Sequence, residues 1–224
     1  MISILETELI NALSVRKVNK SDDWIKAKNQ YFQETDSFRK KFTTKKIANL
    51  SLHDYAPGNK NKNSFCFHIE RGLKVSGSIS GSPINRFGVY YSNKEQAYKA
   101  TKYLGGDVKK GLDKLKTVIL ALISLKKPIS IQHFNATPLS NMFKNKILHV
   151  YHPEDYLSIY SKEHLFWLCD QLKISYESLN HYHAHQALLN FKRKHHEFSA
   201  LSNWEFGRLI YTTCQPQSRL TTYR

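Results

Sequence analysis

Carboxylates are scarce in this chain. Its 224 residues hold 18 Asp and Glu against 34 Lys and Arg, for a formal net charge of +16. Cysteine is scarcer still, and Cys66, Cys169 and Cys214 form no CxxC pair and no tight cluster. That argues against a disulfide framework and a cysteine-rich zinc site, and it favours a reducing compartment. Long apolar runs are also missing. The longest, TVILALISL, is about half of the roughly 18 residues that a membrane span needs, and lysines flank it. The opening MISILETELINAL has no basic leader region and carries Glu6 and Glu8 inside its apolar stretch, so no signal peptide is expected. A cytoplasmic, soluble protein without a membrane partner is the expectation.

Signatures of catalysis are absent as well. A P-loop needs GxxxxGK[ST], and YLGGDVKKGLDK has the residue types without that order. Asp107 and Lys109 have the DxK spacing of a metal-dependent nuclease, but they stand at a helix start, where Asp107 reads as an N-cap. His181 and His185 in NHYHAHQ would share a helical face as HxxxH metal pairs do. No acid or cysteine stands at a matching spacing, so surface or DNA-facing histidines are expected there. His195 and His196 follow Lys192-Arg193-Lys194 and read as part of a basic face. No catalysis, metal or cofactor is expected in this chain.

The excess positive charge is localised. Lys60 to Lys146 holds 16 Lys and Arg against 4 Asp and Glu. Met1 to Asp54 has 10 against 7, and His149 to Arg224 has 8 against 7. A solubilising charge would be spread evenly, whereas a basic region is the footprint of a polyanion.

Periodicity supplies an outline. Ser3 and Glu6 have capping-box spacing, with Ile4, Leu5, Leu9 and Leu13 on one helical face. A second helix starts at Asp22 and Asp23. The loop PGNKNKN follows, and then SFCFHIERGLKVSG reads as a helix capped by Ser64. After the loop SISGSPIN, the stretch FGVYY-SNKEQ-AYKATKYL reads as a β-hairpin. Asp107 begins an amphipathic helix with Val108, Leu112, Leu115, Ile119 and Leu122 on its buried face and Lys109, Lys110, Lys114 and Lys116 on the other side. KILHVY-HPED-YLSIYS reads as a second hairpin. Ser161 and Ser202 begin helices, with a further helix between them through Ala184, Leu188 and Phe191. This predicts an α+β domain, with a small antiparallel sheet built from hairpins and flanked by helices. A B3-like β-barrel with added helices is the alternative. Residues 1–50 are expected to form a helical element, 51–214 a recognition domain and 215–224 a polar tail.

Four blocks carry a resemblance. They are DYAPGNKNKNSFCFHIERGLKVSGSISG, RFGVYY, PLSNMFKNKILHVYHPEDYLSIYSKEHL and LLNFKRKHHEFSALSNWEFGRLIY. Together they resemble the N-terminal DNA-recognition region of McrB-like (McrBC/LlaJI-type) AAA+ GTPase restriction proteins, over roughly residues 40–212. The resemblance implies a reader of double-stranded DNA, of a specific or cytosine-modified site. It also implies an AAA+ GTPase motor and a McrC-like nuclease subunit as partners. No Walker motif follows, so an excised recognition domain is expected. A metal-dependent endonuclease and a non-specific or RNA-binding basic scaffold remain the rival readings.

The hairpin is the candidate reading element, because a two-stranded ribbon fits a major groove. Arg86 would meet a guanine edge, and Asn85 and Asn93 would meet adenine or cytosine edges. Lys94, Lys99 and Lys102 would neutralise phosphates. Tyr90 and Tyr91 point to opposite faces, so at most one of them is DNA-facing. Lys60, Lys62 and Asn63 form a second basic element, and Lys109 and Lys110 a third at a helix start, where backbone amides also attract anions. Tyr90, Trp167 and Trp204 are the candidates to stack on a flipped base.

Overall fold

The computed structural model describes residues 2–19, 22–58, 60–79, 84–126, 128–178 and 180–214. Residues 80–83 of the SISGSPIN loop and the polar tail 215–224 lie outside the described residues. In chain order α1 spans Ile4–Asn19, α2 Asp22–Lys41, α3 Thr44–Ala48, α4 Leu52–Tyr55 and α5 Phe65–Phe67, which continues as a π-helical turn His68–Gly72. A 3-10 turn Ile84–Phe87 leads into β1 Val89–Ser92 and β2 Ala97–Ala100, and a second, Lys102–Leu104, leads to α6 Val108–Ile123. Then come α7 Ile131–Ala136, α8 Asn141–Tyr151, α9 Lys162–Gln171, α10 His181–Lys194 and α11 Asn203–Thr213. The protein is of the α+β class, mostly helical with one small antiparallel sheet among the described residues.

The side-chain caps explain where most helices start. The Ser3 hydroxyl accepts from the Glu6 N–H at 3.1 Å, and Glu6 reaches back to the Ser3 N–H at 3.4 Å. Ser64, Asp107, Ser161 and Ser202 cap their helices as their spacing predicts, with the full capping box at Ser202 and Glu205. Each satisfies amide donors that a helix start leaves open.

The chain forms two compact units, Met1–Gln30 with His152–Arg224, and Tyr31–Tyr151. The first is a helical cluster. Leu5, Leu9 and Leu13 of α1 belong to a core with Leu165, Leu168, Leu188, Phe198, Phe206 and Ile210, whereas Ile4, expected on the same face, is exposed. The second unit is built on aromatic rings. Phe38 and Phe42 of α2 and its end, Phe65 of α5, Phe143 of α8 and Phe87 form a chain of ring contacts. The buried Tyr55 hydroxyl donates to the Phe87 carbonyl at 2.6 Å.

The expected second hairpin is not formed. KILHVY lies inside α8, and YLSIYS is not a strand. The reason is burial on every side. Phe143 to Val150 are all buried, so no polar face marks the helix, and a short run of branched apolar residues imitates a strand. The helix expected over 64–73 is present but widened. Leu73 N–H reaches the His68 carbonyl at 3.1 Å, five residues back. A side chain on Gly72 would stand 2.6 Å from His68 Nδ1, so any larger residue there would have to displace the His68 ring.

Two buried lysines on α8 hold the irregular chain around them. Lys146 donates to the carbonyls of Leu73 and Gly77, and Lys144 to those of Phe134 and Thr137. Burial pushes Lys146 down to about 7, against the attraction of Glu34 and Glu70, and pushes Lys144 down to about 8. A lysine whose folded pKa lies below its unfolded value is protonated more readily in the unfolded chain, so its contribution to stability rises with pH. Between pH 7 and 9 the wild type is therefore expected to gain stability relative to Lys146→Met, by up to about 1.4 kcal/mol per pH unit. Thermal and denaturant unfolding across that window measure the difference, and parallel profiles would rule the coupling out.

Candidate nucleic-acid interface

The Tyr31–Tyr151 unit holds 21 Lys and Arg against 7 Asp and Glu, so it carries +14 of the chain's +16. Every one of the seven carboxylates is engaged locally. Glu34 accepts from the Val75 N–H, Asp107 from the Lys110 N–H, and Asp36, Asp54, Glu70, Glu95 and Asp113 pair with Arg39, Lys46, Arg86, Lys99 and Lys116. Within this unit no carboxylate is left to pair with Lys60, Lys62, Lys94, Lys102, Lys109 or Lys110 among the described residues, and all six are exposed.

The hairpin register places Val89 opposite Ala100, Tyr90 opposite Lys99, Tyr91 opposite Tyr98 and Ser92 opposite Ala97. Directly opposed residues share a face. Tyr90 and Lys99 thus stand side by side, half-buried, while Tyr91 and Tyr98 meet edge to face at 5.2 Å on the other side. The buried Val89 continues that second face toward α6, which packs on both strands. Asn93 and Lys94 occupy the exposed tip, and Lys102 follows β2 at the start of its 3-10 turn.

The lysine-rich loop is tied to this ribbon. Tyr91 donates its N–H to the Pro57 carbonyl at 3.0 Å, closing the outer edge of β1. Gly58 has φ +104°, and a side chain there would stand 2.9 Å from Tyr91 Cβ and O. Asn61 then fixes the turn, donating to the His53 carbonyl at 2.7 Å and accepting from the Asn63 N–H at 2.8 Å. Lys60 and Lys62 project from this frame, and the Asn63 side chain is exposed.

Between the loop and the π-helical turn lies a cleft of about 630 Å³. Phe67, Ile84 and Phe87 supply apolar lining, Lys60, Lys62 and Arg71 cationic lining, and Glu70 a carboxylate. Phe67 and Arg71 were not singled out in the sequence. They are four residues apart in a segment whose buried face, Phe65, Cys66, Ile69 and Leu73, is plain, so the opposite face was the available signal.

Comparison with known protein families, curated proteins and solved structures finds no match for the chain.

Arg86 does not fit its expected place at a guanine edge. It is 7 % exposed, donates to Glu70 Oε1 at 2.6 Å and to the Ile79 carbonyl, and lies 4.7 Å from the centre of the Phe87 ring. It falls in the 3-10 turn before β1, where RFGVYY suggests strand alternation. Asn85 beside it is exposed. Lys99 is held by Glu95, and Lys109 and Lys110 lie in the first turn of α6. The histidines also differ from expectation. His181 and His185 are buried, and His185 Nε2 accepts from the Leu157 N–H at 3.0 Å. Trp204 is buried and Trp167 packs against the core of the first unit, so neither lines the cleft. Among the described residues no group of three or more His, Cys, Asp or Glu is placed to hold a metal ion.

Removing Arg86 leaves the largely buried Glu70 carboxylate with only the exposed, more distant Arg71, at 3.5 Å, as an ion-pair partner. Arg86→Ala is expected to lose about 3–5 kcal/mol of stability. Asn85→Ala, its exposed neighbour, should stay within about 0.5 kcal/mol of wild type. Chemical denaturation of both variants checks the contrast, and equal effects would contradict this placement of Arg86.

Proposed function

We propose that this chain is a DNA-recognition domain that binds double-stranded DNA through its 31–151 unit. The single observation that carries the reading is the set of exposed lysines left without carboxylate partners on the hairpin, the adjoining loop and the start of α6. Lysines so placed neutralise phosphates, which supplies affinity, while a projecting ribbon or a lined cleft supplies selectivity. In this reading Lys60, Lys62, Lys94, Lys102, Lys109 and Lys110 are phosphate contacts. Tyr90, Asn85, Asn93 and Asn63 meet base or sugar edges.

The resemblance to McrB-like restriction proteins extends the reading. The domain would then mark a site, specific or cytosine-modified, for a separate AAA+ GTPase motor and a McrC-like nuclease subunit. A cytoplasmic setting is consistent with the free thiols of Cys66, Cys169 and Cys214. No helix among the described residues is long and apolar enough to cross a membrane.

Selection from a randomised duplex library, with methylated and unmethylated pools at near-physiological salt, tests recognition. Enrichment of one short site, or of modified cytosine, is expected, and uniform retention would leave a basic scaffold. Combining Lys60→Gln, Lys62→Gln, Lys94→Gln and Lys102→Gln should weaken binding across sequences and reduce the salt slope by about 3–4. Lys162→Gln with Lys194→Gln, in the other unit, should leave both unchanged. A control pair as damaging as the four would overturn the assignment.

A further inference from the structure

The Met1–Gln30 and His152–Arg224 unit contains two arginines whose charge no carboxylate among the described residues balances. Arg16 lies in the last turns of α1 and Arg208 in the middle of α11. The guanidinium carbon of Arg16 is 4.6 Å from the centre of the Trp24 ring. That of Arg208 is 5.6 Å from the same ring and 5.7 Å from Trp204. The two indoles lie 6.0 Å apart. Arg16 also donates through Nη2 to the hydroxyl of Thr212, one turn beyond Arg208 on α11. Three helices thus bring two guanidinium groups onto one pair of aromatic rings.

Neither arginine has a carboxylate partner among the described residues. Glu205, one turn before Arg208, is committed elsewhere. It pairs with Lys28 at 2.7 Å and completes the Ser202 capping box. Each guanidinium also retains a buried donor with no acceptor, Nη1 of Arg16 and Nε of Arg208. Burial lowers the pKa of Arg16, and the charge of Arg208 lowers it further. Arginine stays charged regardless, so an anion that accepts from both groups would relieve the repulsion. Orphaned donors and a like-charge pair in one place are features that a bound anion would satisfy.

We infer that Arg16 and Arg208, framed by Trp24 and Trp204, bind a phosphate group. A planar carboxylate fills one guanidinium fork. A tetrahedral phosphate presents oxygens in several directions and can accept from two guanidinium groups carried on different helices. The indole faces offer no competing acceptor and keep both cations in place. This inference stands apart from the proposed DNA-binding unit, and inorganic phosphate alone can test it.

Intrinsic tryptophan fluorescence is the readout, because two of the chain's three tryptophans line the site. Sodium phosphate should change the emission saturably, while sodium chloride at matched ionic strength should not. Arg16→Gln and Arg208→Gln should each weaken the phosphate response by at least about tenfold, the worth of a charge-assisted hydrogen bond. Trp24→Phe should remove much of the signal. Far-UV circular dichroism checks that the variants fold. Where a Gln variant fails, Arg→Lys at that position keeps the charge, loses the fork and should weaken binding several-fold. An equal response to chloride, or unchanged phosphate affinity in the arginine variants, would overturn the site. A short duplex that competes with phosphate, and that binds several-fold more weakly to both variants, would identify the nucleic-acid backbone as the source. Phosphate binding that the duplex leaves untouched would identify a free phosphate-bearing ligand.

Discussion

The buried cations of α8 are the constraint on which the 31–151 unit depends. Much of that unit is not regular secondary structure, and irregular backbone inside a protein must find partners for its carbonyls. Lys146 supplies them for residues 73 and 77, Lys144 for 134 and 137, and Arg86 for residue 79. Arginine and lysine suit this task because their donors are several and sit on long stems. The cost is the burial of charge, which depresses both lysines. The widened turn of α5 belongs to the same arrangement. It brings Glu70 to Arg86 and sets Leu73, where the turn ends, against Lys146.

A second consequence follows from how few carboxylates the unit has. Seven acidic groups are spent on an N-cap, a backbone amide and local ion pairs. Five of the seven pair with nearby cations, and with 21 Lys and Arg against 7 Asp and Glu a large positive excess remains in the unit. The uncompensated lysines therefore repel one another unless counter-ions gather. Counter-ion release on meeting a polyanion is the favourable step that such a surface stores. Exposed ion pairs such as Lys99 with Glu95 contribute little to stability. Their role is to set which cations are free.

Much of the helical frame was legible in the sequence because its signals are local. Ser3, Ser64, Asp107, Ser161 and Ser202 each stand a fixed number of residues before the amide they cap. The amphipathic pattern of α6 needs no knowledge of what it packs against. What was not legible depends on partners distant in sequence. From Phe143 to Val150 the polar residues of α8 are all buried, so its pattern reads as a short apolar strand until Lys144 and Lys146 are seen to face carbonyls. Arg86 reads as a free cation until Glu70 is found 16 residues away. The cleft beside Phe67 and Arg71 exists only because the loop at Gly58 folds back onto Tyr91.

The hairpin shows how the candidate interface is tied to the core. Two strands of four residues each are marginal alone in water. Here β1 gains a third neighbour in the Pro57 carbonyl, and α6 covers the face that carries Val89. The loop bearing Lys60 and Lys62 is thus a structural part of the ribbon bearing Lys94 and Lys99. The two basic elements share one backbone contact, at Tyr91. A displacement of the loop would open the edge of β1, and a displacement of the ribbon would release Gly58 from a conformation that few other residues adopt. The spacing between the two sets of cations is therefore fixed by packing before any ligand arrives. A pre-set spacing lowers the ordering cost of meeting phosphates at a fixed repeat.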